Sequence, residues 1–254
     1  MMIIDMHGHY YSKNLYPDWV PYGLDPLLKW TENPNIEIVV LSSLDVFERG
    51  MGENQKLLQI CENNIKLWQW ISIDPRIHYW WEKIPQSSKI LGLKLHPTWQ
   101  NYELDKYLPL VLEISKRKKW GVLTHSGIKE PYVNIGKSIK IADKYPEVPI
   151  IFAHLGNGFS NYKDVLTQIN YLSNTKNCNT LIDTSSLAIH LSGLLEESIK
   201  KIGSKRIVFG TDLPLHLPES QLSRITHGNI KDLDRENILY KNAISYFPSL
   251  KGEN

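Results

Sequence analysis

Short runs of branched apolar residues recur at regular intervals along this chain. Eight of them have the length of buried strands: Met2–Met6, Ile36–Leu41, Trp68–Ile73, Ile90–Leu95, Trp120–Thr124, Pro149–Ala153, Thr180–Asp183 and Arg206–Gly210. Most are separated by segments with apolar residues at helical spacing: Asn54–Lys66, Leu104–Lys118, Ile135–Tyr145, Tyr162–Leu172 and Gly193–Ile202. A weaker helical pattern lies around Tyr79–Ile84, and a closing helix is expected near Asp234–Ile244. This alternation predicts parallel strands joined by crossover helices.

The number of strand–helix units distinguishes two architectures. Eight units in a chain of 254 residues fit a closed barrel, because (β/α)8 barrels typically occupy about 250 residues. An open nucleotide-binding sheet would carry a glycine-rich turn after its first strand, whereas here Met6 is followed by His-Gly-His-Tyr. No linker or shift in composition marks a domain boundary. We predict an α/β fold, a (β/α)8 TIM barrel, in a single domain over residues 1–254.

Composition and charge exclude several classes of protein. Apolar residues make up 42% of the chain, enough for a large core, and the formal net charge is only +2. The densest basic run, Lys116–Lys119, ends a helix-like segment, where it offsets the helix dipole, so we expect no nucleic-acid binding. Cys61 and Cys178 form no disulfide framework, and no apolar run suits a membrane span or a secretion signal. We therefore expect a cytoplasmic protein without a membrane partner.

Polar side chains stand at the ends of six of the eight predicted strands: His7 and His9, Lys94 and His96, His125, His154, Asp183, and Asp212. In barrels of this kind the C-terminal strand ends converge on the active-site face. Residues two apart on a strand share a face, so His7 and His9 should project together, as should Lys94 and His96. Converging imidazoles are typical of a transition-metal site.

Each of these residues also has an explanation without chemistry. A lone histidine at a strand end is commonly a hydrogen-bonded rim residue. Asp212 could cap the turn that follows it. Asp183 could cap the following turn with Thr184 and Ser185, and Lys94 could extend past the rim to solvent. Together, however, histidines end four of the eight strands in a chain that has nine histidines, and that concentration favours one common site.

Five motifs in order resemble those of the amidohydrolase superfamily: Ile-Asp-Met-His-Gly-His, Gly-Leu-Lys-Leu-His-Pro, Thr-His-Ser-Gly, Phe-Ala-His-Leu-Gly and Phe-Gly-Thr-Asp-Leu-Pro. More narrowly, they resemble the amidohydrolase-related branch that includes aminocarboxymuconate-semialdehyde decarboxylase and many uncharacterised metal-dependent hydrolases. The resemblance runs from residue 3 to about residue 214. Each motif is weak alone, but the five in order are specific.

The resemblance implies a metal centre. His7 and His9 would be the ligands from the first strand. His125 would be the ligand from the fifth strand, and Asp212 that from the eighth. Lys94 lies near the place of the carboxylated lysine that bridges two metals in other superfamily members, but Lys-x-His-Pro is also usual where one metal is bound. We expect one Zn²⁺ per chain, with another divalent transition metal as the alternative.

The implied reaction is hydrolysis of an amide, a lactone or a related carbon–nitrogen or carbon–oxygen bond by metal-activated water. Asp212 would accept the proton of the water and deliver it to the leaving group. His154 would orient the water or bind the developing oxyanion. The alternative reaction is metal-dependent, non-oxidative decarboxylation of a small unsaturated or aromatic carboxylic acid. A barrel that binds a ligand and keeps its metal only for stability is a third hypothesis.

The expected partner is a small-molecule substrate, and four residues are candidates for binding it: Lys94, His96, Arg76 and Trp99. Arg76, or Arg49 beyond the second strand, would hold a substrate carboxylate in a decarboxylase, unless Arg76 pairs with Asp74 or a surface carboxylate instead. Trp99 could form an aromatic pocket with the long first loop, residues 10–35, or simply pack that loop onto the barrel. A homodimer suits a barrel of this kind, although no residue of the sequence demonstrates it.

Overall fold

The computed structural model of this chain describes residues 1–12 and 15–251. Positions 13 and 14 of the predicted first loop, and positions 252–254 of the predicted domain, lie outside the described residues. Eight strands form one sheet in chain order. They are β1 (Ile3–Tyr10), β2 (Ile36–Ser43), β3 (Leu67–Ser72), β4 (Ile90–Leu95), β5 (Gly121–Thr124), β6 (Ile150–Phe152), β7 (Thr180–Asp183) and β8 (Ile207–Val208).

All seven neighbouring pairs of strands, from β1–β2 to β7–β8, are parallel. The helices that connect and follow them are α1 (Asp25–Thr31), α2 (Asp45–Arg49), α3 (Asn54–Glu62), α4 (Pro97–Gln100), α5 (Leu104–Lys118), α6 (Ile135–Ala142), α7 (Thr167–Leu172), α8 (Leu194–Ile202), α9 (Pro218–Thr226), α10 (Asp232–Glu236) and α11 (Asn242–Tyr246). The sheet curls into a nearly closed barrel, which confirms the predicted TIM-barrel fold. Within the described ranges, no helix is both long and apolar enough to cross a membrane.

Several helices are shorter than their apolar periodicity predicts. α3 ends at Glu62, because Asn63 has left the helical region of backbone space (φ −88°, ψ 1°). α7 begins only at Thr167, since the Asp164 carboxylate accepts a hydrogen bond from the Ser160 amide and holds the preceding stretch in a turn. Apolar periodicity therefore located these helices but not their ends.

Two predicted helices take other forms. The pattern around Tyr79–Ile84 is a single 3₁₀ turn, Trp80–Lys83. The closing helix is divided into α10, a π turn over Asn237–Lys241, and α11. The alternation of helix and strand survives these differences, because the 3₁₀ turn still leads the chain to the start of β4 and the closing segment follows the last strand, β8.

The interior of the barrel is filled by apolar side chains from all eight strands: Ile4, Met6, Ile38, Val40, Trp70, Leu91, Leu123, Ile151, Ala153, Leu181 and Val208. Phe247 and Leu250, from the C-terminal segment, join the same cluster and close the lower end. Trp70 is fully buried there. Its indole nitrogen donates to the carbonyl of Met6 at 2.8 Å, and its ring meets that of Phe247 edge-on at 5.5 Å.

A register shift in β1 decides which side chains reach the upper interior. Ile4 and Met6 face the barrel interior, while Asp5 faces the helical layer, where Trp30 of α1 donates to it at 3.0 Å. Strict alternation would place His7 on the outer face with Asp5. The pairing with β2 shifts between Asp5 and Gly8, and this irregularity turns His7 inward.

The barrel closes between β8 and β1 through a few backbone contacts, which we call the seam. The amide of Met6 donates to the carbonyl of Phe209 at 2.9 Å. Nearer the C-terminal ends of the strands, the amide of Asp212 donates to the carbonyl of His7 at 2.7 Å. The amide of His9 donates to the carbonyl of Leu213 at 2.7 Å. These bonds bring Asp212 beside the two histidines at the top of the first strand.

Candidate metal centre

Three side chains converge at the top of the seam. His7, His9 and Asp212 each offer one ligand atom, and these atoms lie within 4.8 Å of one another. Asp212 Oδ1 is 2.8 Å from His9 Nε2 and 3.6 Å from His7 Nε2. It is buried, yet no donor among the described residues reaches it with hydrogen-bond geometry. A carboxylate oxygen that lacks a donor beside two imidazole nitrogens is an arrangement that a transition-metal ion fits.

In His7 and His9, the ring nitrogen that faces away from the centre, Nδ1, has a hydrogen-bond partner. His7 Nδ1 lies 2.8 Å from Asp183 Oδ2, and because a carboxylate only accepts, the ring carries its proton on Nδ1. The lone pair of His7 Nε2 therefore faces the centre, where Lys94 Nζ lies at 2.8 Å. His9 Nδ1 lies 2.8 Å from Ser42 Oγ. Such partners orient imidazole ligands in metal sites.

The protonation states suit a cation. Burial lowers the pKa of His7, lowers that of His9 to about 4, and lowers that of His154 well below its usual value. Burial by itself would raise the pKa of Asp212, but the neighbouring imidazoles of His154 and His9 outweigh it and hold that pKa well below its usual value. Neutral imidazoles therefore face an ionised carboxylate, which is the state that binds metal ions.

Lys94 is fully buried and does not extend to solvent, so that alternative is wrong. Burial lowers the pKa of Lys94 to about 8, against the opposing effect of the Asp212 and Asp183 carboxylates. Its amine contacts the nitrogen of His7 that faces the centre. Lys94 is therefore part of the centre itself, beside the candidate ligands.

A second row of histidines lies next to the centre. His154 Nε2 is 3.1 Å from His125 Nδ1, and the ring of His125 stacks on that of His96 at 4.0 Å and 11°. On its far side, His154 Nδ1 is 2.7 Å from Ser185 Oγ. The Ser185 hydroxyl donates to a carboxylate oxygen of Asp183, so its own oxygen accepts the proton on His154 Nδ1.

His125 does not belong to the three-atom group at the seam. Besides that group, the described residues contain one more set with metal-ligand spacing: His7, His154 and Asp183. His125 contacts this set through His154. Its predicted role as a ligand stays a prediction.

Two of these residues have a strained backbone. Asp212 (φ 62°) and His154 (φ 68°) lie in the left-handed region, which costs of order 1 kcal/mol or more for a residue with a side chain. Such strain persists where the surrounding structure holds it, most often at functional sites. His154 lies two residues after β6 and Asp212 four residues after β8, in the turns at the C-terminal ends of these short strands.

Aromatic residues surround the outer side of the histidine row. Trp99 lies against Phe47 at 5.5 Å and against His96 at 5.5 Å, and its indole nitrogen donates to Glu48 at 2.9 Å. The amide of Trp99 donates to His96 Nδ1 at 3.2 Å, which fixes the first turn of α4. These contacts show that Trp99 packs the rim loops, and its predicted role in a substrate pocket stays a prediction.

The two arginines considered for binding a carboxylate are both paired with aspartates. Arg76 forms two bonds to Asp74, at 2.9 Å and 2.7 Å. Arg49 lies 3.3 Å from Asp45. A cavity of about 390 Å³ between the rim loops is lined by Arg76 and Trp99. The guanidinium groups thus already have carboxylate partners.

Sequence reasoning missed the residues that hold the histidines from behind. Asp183 was noticed as a strand-end residue, but nothing in the sequence connected it with His7, which lies 176 positions away. Ser42 carried no signal, because serines are common at strand ends, and the sequence connected Ser185 only with the turn at Asp183. Glu130, 3.1 Å from His125 Nε2, lies in a loop whose shape the sequence does not specify.

A family model described as amidohydrolase matches residues 4–248. A search of curated proteins returned no match.

Several solved structures share the fold over nearly the whole length. A probable 2-pyrone-4,6-dicarboxylic acid hydrolase from Acinetobacter baumannii, with citric acid bound, is 16% identical with a TM-score of 0.74, covering 98% of this chain and 100% of that one. An amidohydrolase from Burkholderia multivorans with bound zinc is 12% identical, with a TM-score of 0.76 and coverages of 98% and 99%. A dihydroxybenzoic acid decarboxylase from a Polaromonas species, with bound manganese and the inhibitor 2-nitroresorcinol, is 14% identical, with a TM-score of 0.74 and coverages of 99% and 98%. At these identities the likeness shows the fold.

Proposed function

This chain belongs to the amidohydrolase family, and from that premise we propose that it is a metal-dependent hydrolase of a small organic substrate. The observation that carries the proposal is the convergence of His7, His9 and Asp212, whose ligand atoms lie within 4.8 Å of one another. Similar folds serve both hydrolases and decarboxylases, so the choice between the two reactions depends on the residues around the centre.

We assign His7, His9 and Asp212 to one metal ion and propose His125 as the fourth ligand. Three imidazole nitrogens and one carboxylate oxygen form a donor set that suits Zn²⁺. Manganese or another divalent transition metal is the alternative, because the donor set does not select one metal alone. Proteins of similar fold contain zinc in one case and manganese in another.

When bound, the ion supplies Lewis acidity, which lowers the pKa of a water molecule towards about 7 and polarises a carbonyl group. Asp212 has one oxygen at the centre and the other 3.8 Å from His216 Nδ1, so it can accept the proton of the water and pass it to the leaving group. His154 donates through Nδ1 to Ser185. Its Nε2 therefore acts as an acceptor, which suits orienting the water and not donating to an oxyanion.

The pairing of the rim arginines favours hydrolysis of an uncharged carbonyl compound over a decarboxylation in which an arginine binds the substrate. A decarboxylase of that kind needs a free guanidinium group for the carboxylate of its substrate. The two arginines nearest to this task, Arg76 and Arg49, already pair with Asp74 and Asp45. An amide or lactone carbonyl requires no such partner.

The proposal is tested with metal analysis and a substrate panel. We expect purified protein to contain about one equivalent of zinc, manganese or iron, since a single open site is proposed. Neutral lactones and amides should be hydrolysed, chelation should abolish the activity, and added Zn²⁺ should restore it. Release of CO₂ from unsaturated or aromatic acids, without hydrolysis, would establish the alternative reaction. Protein without stoichiometric metal, unchanged by His7→Ala, would refute the metal centre.

Asp183→Asn is expected to weaken metal binding and turnover by about 10–100-fold, the usual cost of losing the carboxylate behind a histidine ligand. Asparagine keeps the shape but removes the charge that holds the proton on His7 Nδ1. Competition with a chelating dye measures the metal affinity. Asp143→Asn is the matched control, because Asp143 accepts from the amide of Lys176 on a distant part of the barrel. Equal metal affinities for the two variants would contradict the role of Asp183.

A further inference from the structure

Three side chains contact the ring of His125, and only one of them carries a carboxylate. Its ring face stacks on His96 at 4.0 Å, and its Nδ1 faces His154 at 3.1 Å. Its Nε2 lies 3.1 Å from Glu130 Oε1. Stacking sets the plane of the ring, but only a hydrogen-bond partner of defined polarity sets which nitrogen carries the proton.

Glu130 is itself anchored. Its second carboxylate oxygen accepts a hydrogen bond from the Thr98 hydroxyl in α4, so the residue joins the loop after β5 to the loop after β4. Gly127 leaves it room, because a Cβ at that position would lie 2.9 Å from Glu130 Cγ and 3.0 Å from Asn157 Nδ2. The side chain is mostly buried, with 17% of it exposed. A carboxylate held at both oxygens cannot turn away from the histidine without losing the Thr98 bond.

We propose that Glu130 is a positioning residue that acts through His125. The effect of Glu130 on turnover rests on the proposed function. Glu130 Oε1 lies 3.1 Å from His125 Nε2, and because a carboxylate only accepts hydrogen bonds, this contact favours the proton of His125 on Nε2. The lone pair of His125 is thereby placed on Nδ1, the nitrogen that faces the barrel interior. Without the carboxylate, the ring is no longer held to one tautomer.

The position of this lone pair matters because of what faces it. His154 donates through Nδ1 to Ser185, whose own proton goes to Asp183. The Nε2 of His154 therefore also presents a lone pair, 3.1 Å from that of His125. Two lone pairs at this distance repel each other unless a cation or a shared proton lies with them. Glu130 thus makes His125 an acceptor at Nδ1. Asp183, acting through Ser185, makes His154 an acceptor at Nε2.

The tautomer is measured directly in the metal-free protein. In ¹⁵N-histidine-labelled protein, two-bond proton–nitrogen correlations identify the protonated nitrogen of each ring, and the His125→Gln spectrum assigns the resonance. We expect His125 to be protonated on Nε2 in the wild type. Glu130→Ala should shift the ring towards a mixture of tautomers, and Glu130→Gln should have a smaller effect because its amide oxygen still accepts. Protonation of His125 on Nδ1 and not on Nε2 in the wild type would overturn the proposal.

Turnover supplies the second measurement. Glu130→Ala should lower kcat by about 10–100-fold with little change in KM, and Glu130→Gln should fall between it and the wild type. Glu196→Gln is the matched control, because Glu196 is also partly buried and paired, with Arg224, far from the centre. We expect it to leave kcat unchanged. Wild-type kcat in Glu130→Ala would overturn the proposal.

Two milder variants cover the case in which Glu130→Ala does not fold. Thr98→Val removes one anchor of the carboxylate, and Gly127→Ala displaces it while keeping its charge. Both should shift the tautomer of His125 in the same direction as Glu130→Ala, and an unchanged tautomer in both would count against the proposal. The spectrum needs neither metal nor substrate. A protein that bound no metal would therefore refute the proposed function while the positioning of His125 could still be confirmed or refuted.

Discussion

Asp212→Asn is expected to lower turnover by about 10³-fold, within the range for loss of a proton-transfer group, and to release the metal ion. Asparagine fits the space and tolerates the left-handed backbone at φ 62° better than most residues do, so the fold should persist. What it loses is the negative oxygen that faces His7 and His9. Metal content by mass spectrometry and kcat on the best substrate of the panel measure the two effects.

The control for this variant is again Asp143→Asn, whose carboxylate binds backbone amides away from the centre. We expect full metal content and full turnover there. Circular dichroism should show the same melting behaviour for both variants apart from the stabilisation contributed by bound metal. If Asp212→Asn kept both its metal and its turnover, the assignment of the centre to the seam would be wrong.

Trp70→Ala is expected to destabilise the protein by about 5 kcal/mol. Removing a buried tryptophan costs about 3–5 kcal/mol through lost packing and the cavity that remains. The carbonyl of Met6 also loses its donor, which adds about 1 kcal/mol. Since whole proteins are stable by only about 5–15 kcal/mol, this variant should be largely unfolded or unfold at low denaturant concentration.

Urea denaturation measures this effect, and Trp19→Ala supplies the matched control. Trp19 is 82% exposed, so its removal should change the free energy of unfolding by no more than about 0.5 kcal/mol. Trp70→Phe separates the two contributions, because it keeps an aromatic ring beside Phe247 but removes the indole donor. A Trp70→Ala protein as stable as Trp19→Ala would show that the barrel interior is not organised around this side chain.

Much of this architecture was readable from the sequence because its signal is local. The strand runs and the helical periodicity each lie within a few consecutive residues, and parallel strands in a barrel follow chain order. The candidate centre was partly readable for the same reason: His7, His9, His154 and Asp212 each end or follow an apolar run. Positions at strand ends therefore predicted that these residues would meet.

What the sequence did not reveal depends on contacts between distant segments. Alternation along β1 would group His7 with Asp5, and only the pairing with β2 creates the shift that separates them. The partner of His125 comes from a loop, where no periodicity applies. The buried position of Lys94 depends on the contents of the whole barrel mouth. A carboxylate that fixes a tautomer leaves no pattern in a single sequence.

The seam also has a consequence for how the chain reaches its folded state. Thr211 and Asp5, which are bonded across it, lie 206 positions apart, so ordering this contact closes nearly the whole chain into one loop, with a correspondingly large entropic cost. During synthesis the centre cannot form until the last strand has been made and has met the first. An ion bound only by the closed barrel would draw the chain towards closure by mass action. Metal supply would then govern the yield of folded protein, independently of any effect on the reaction rate.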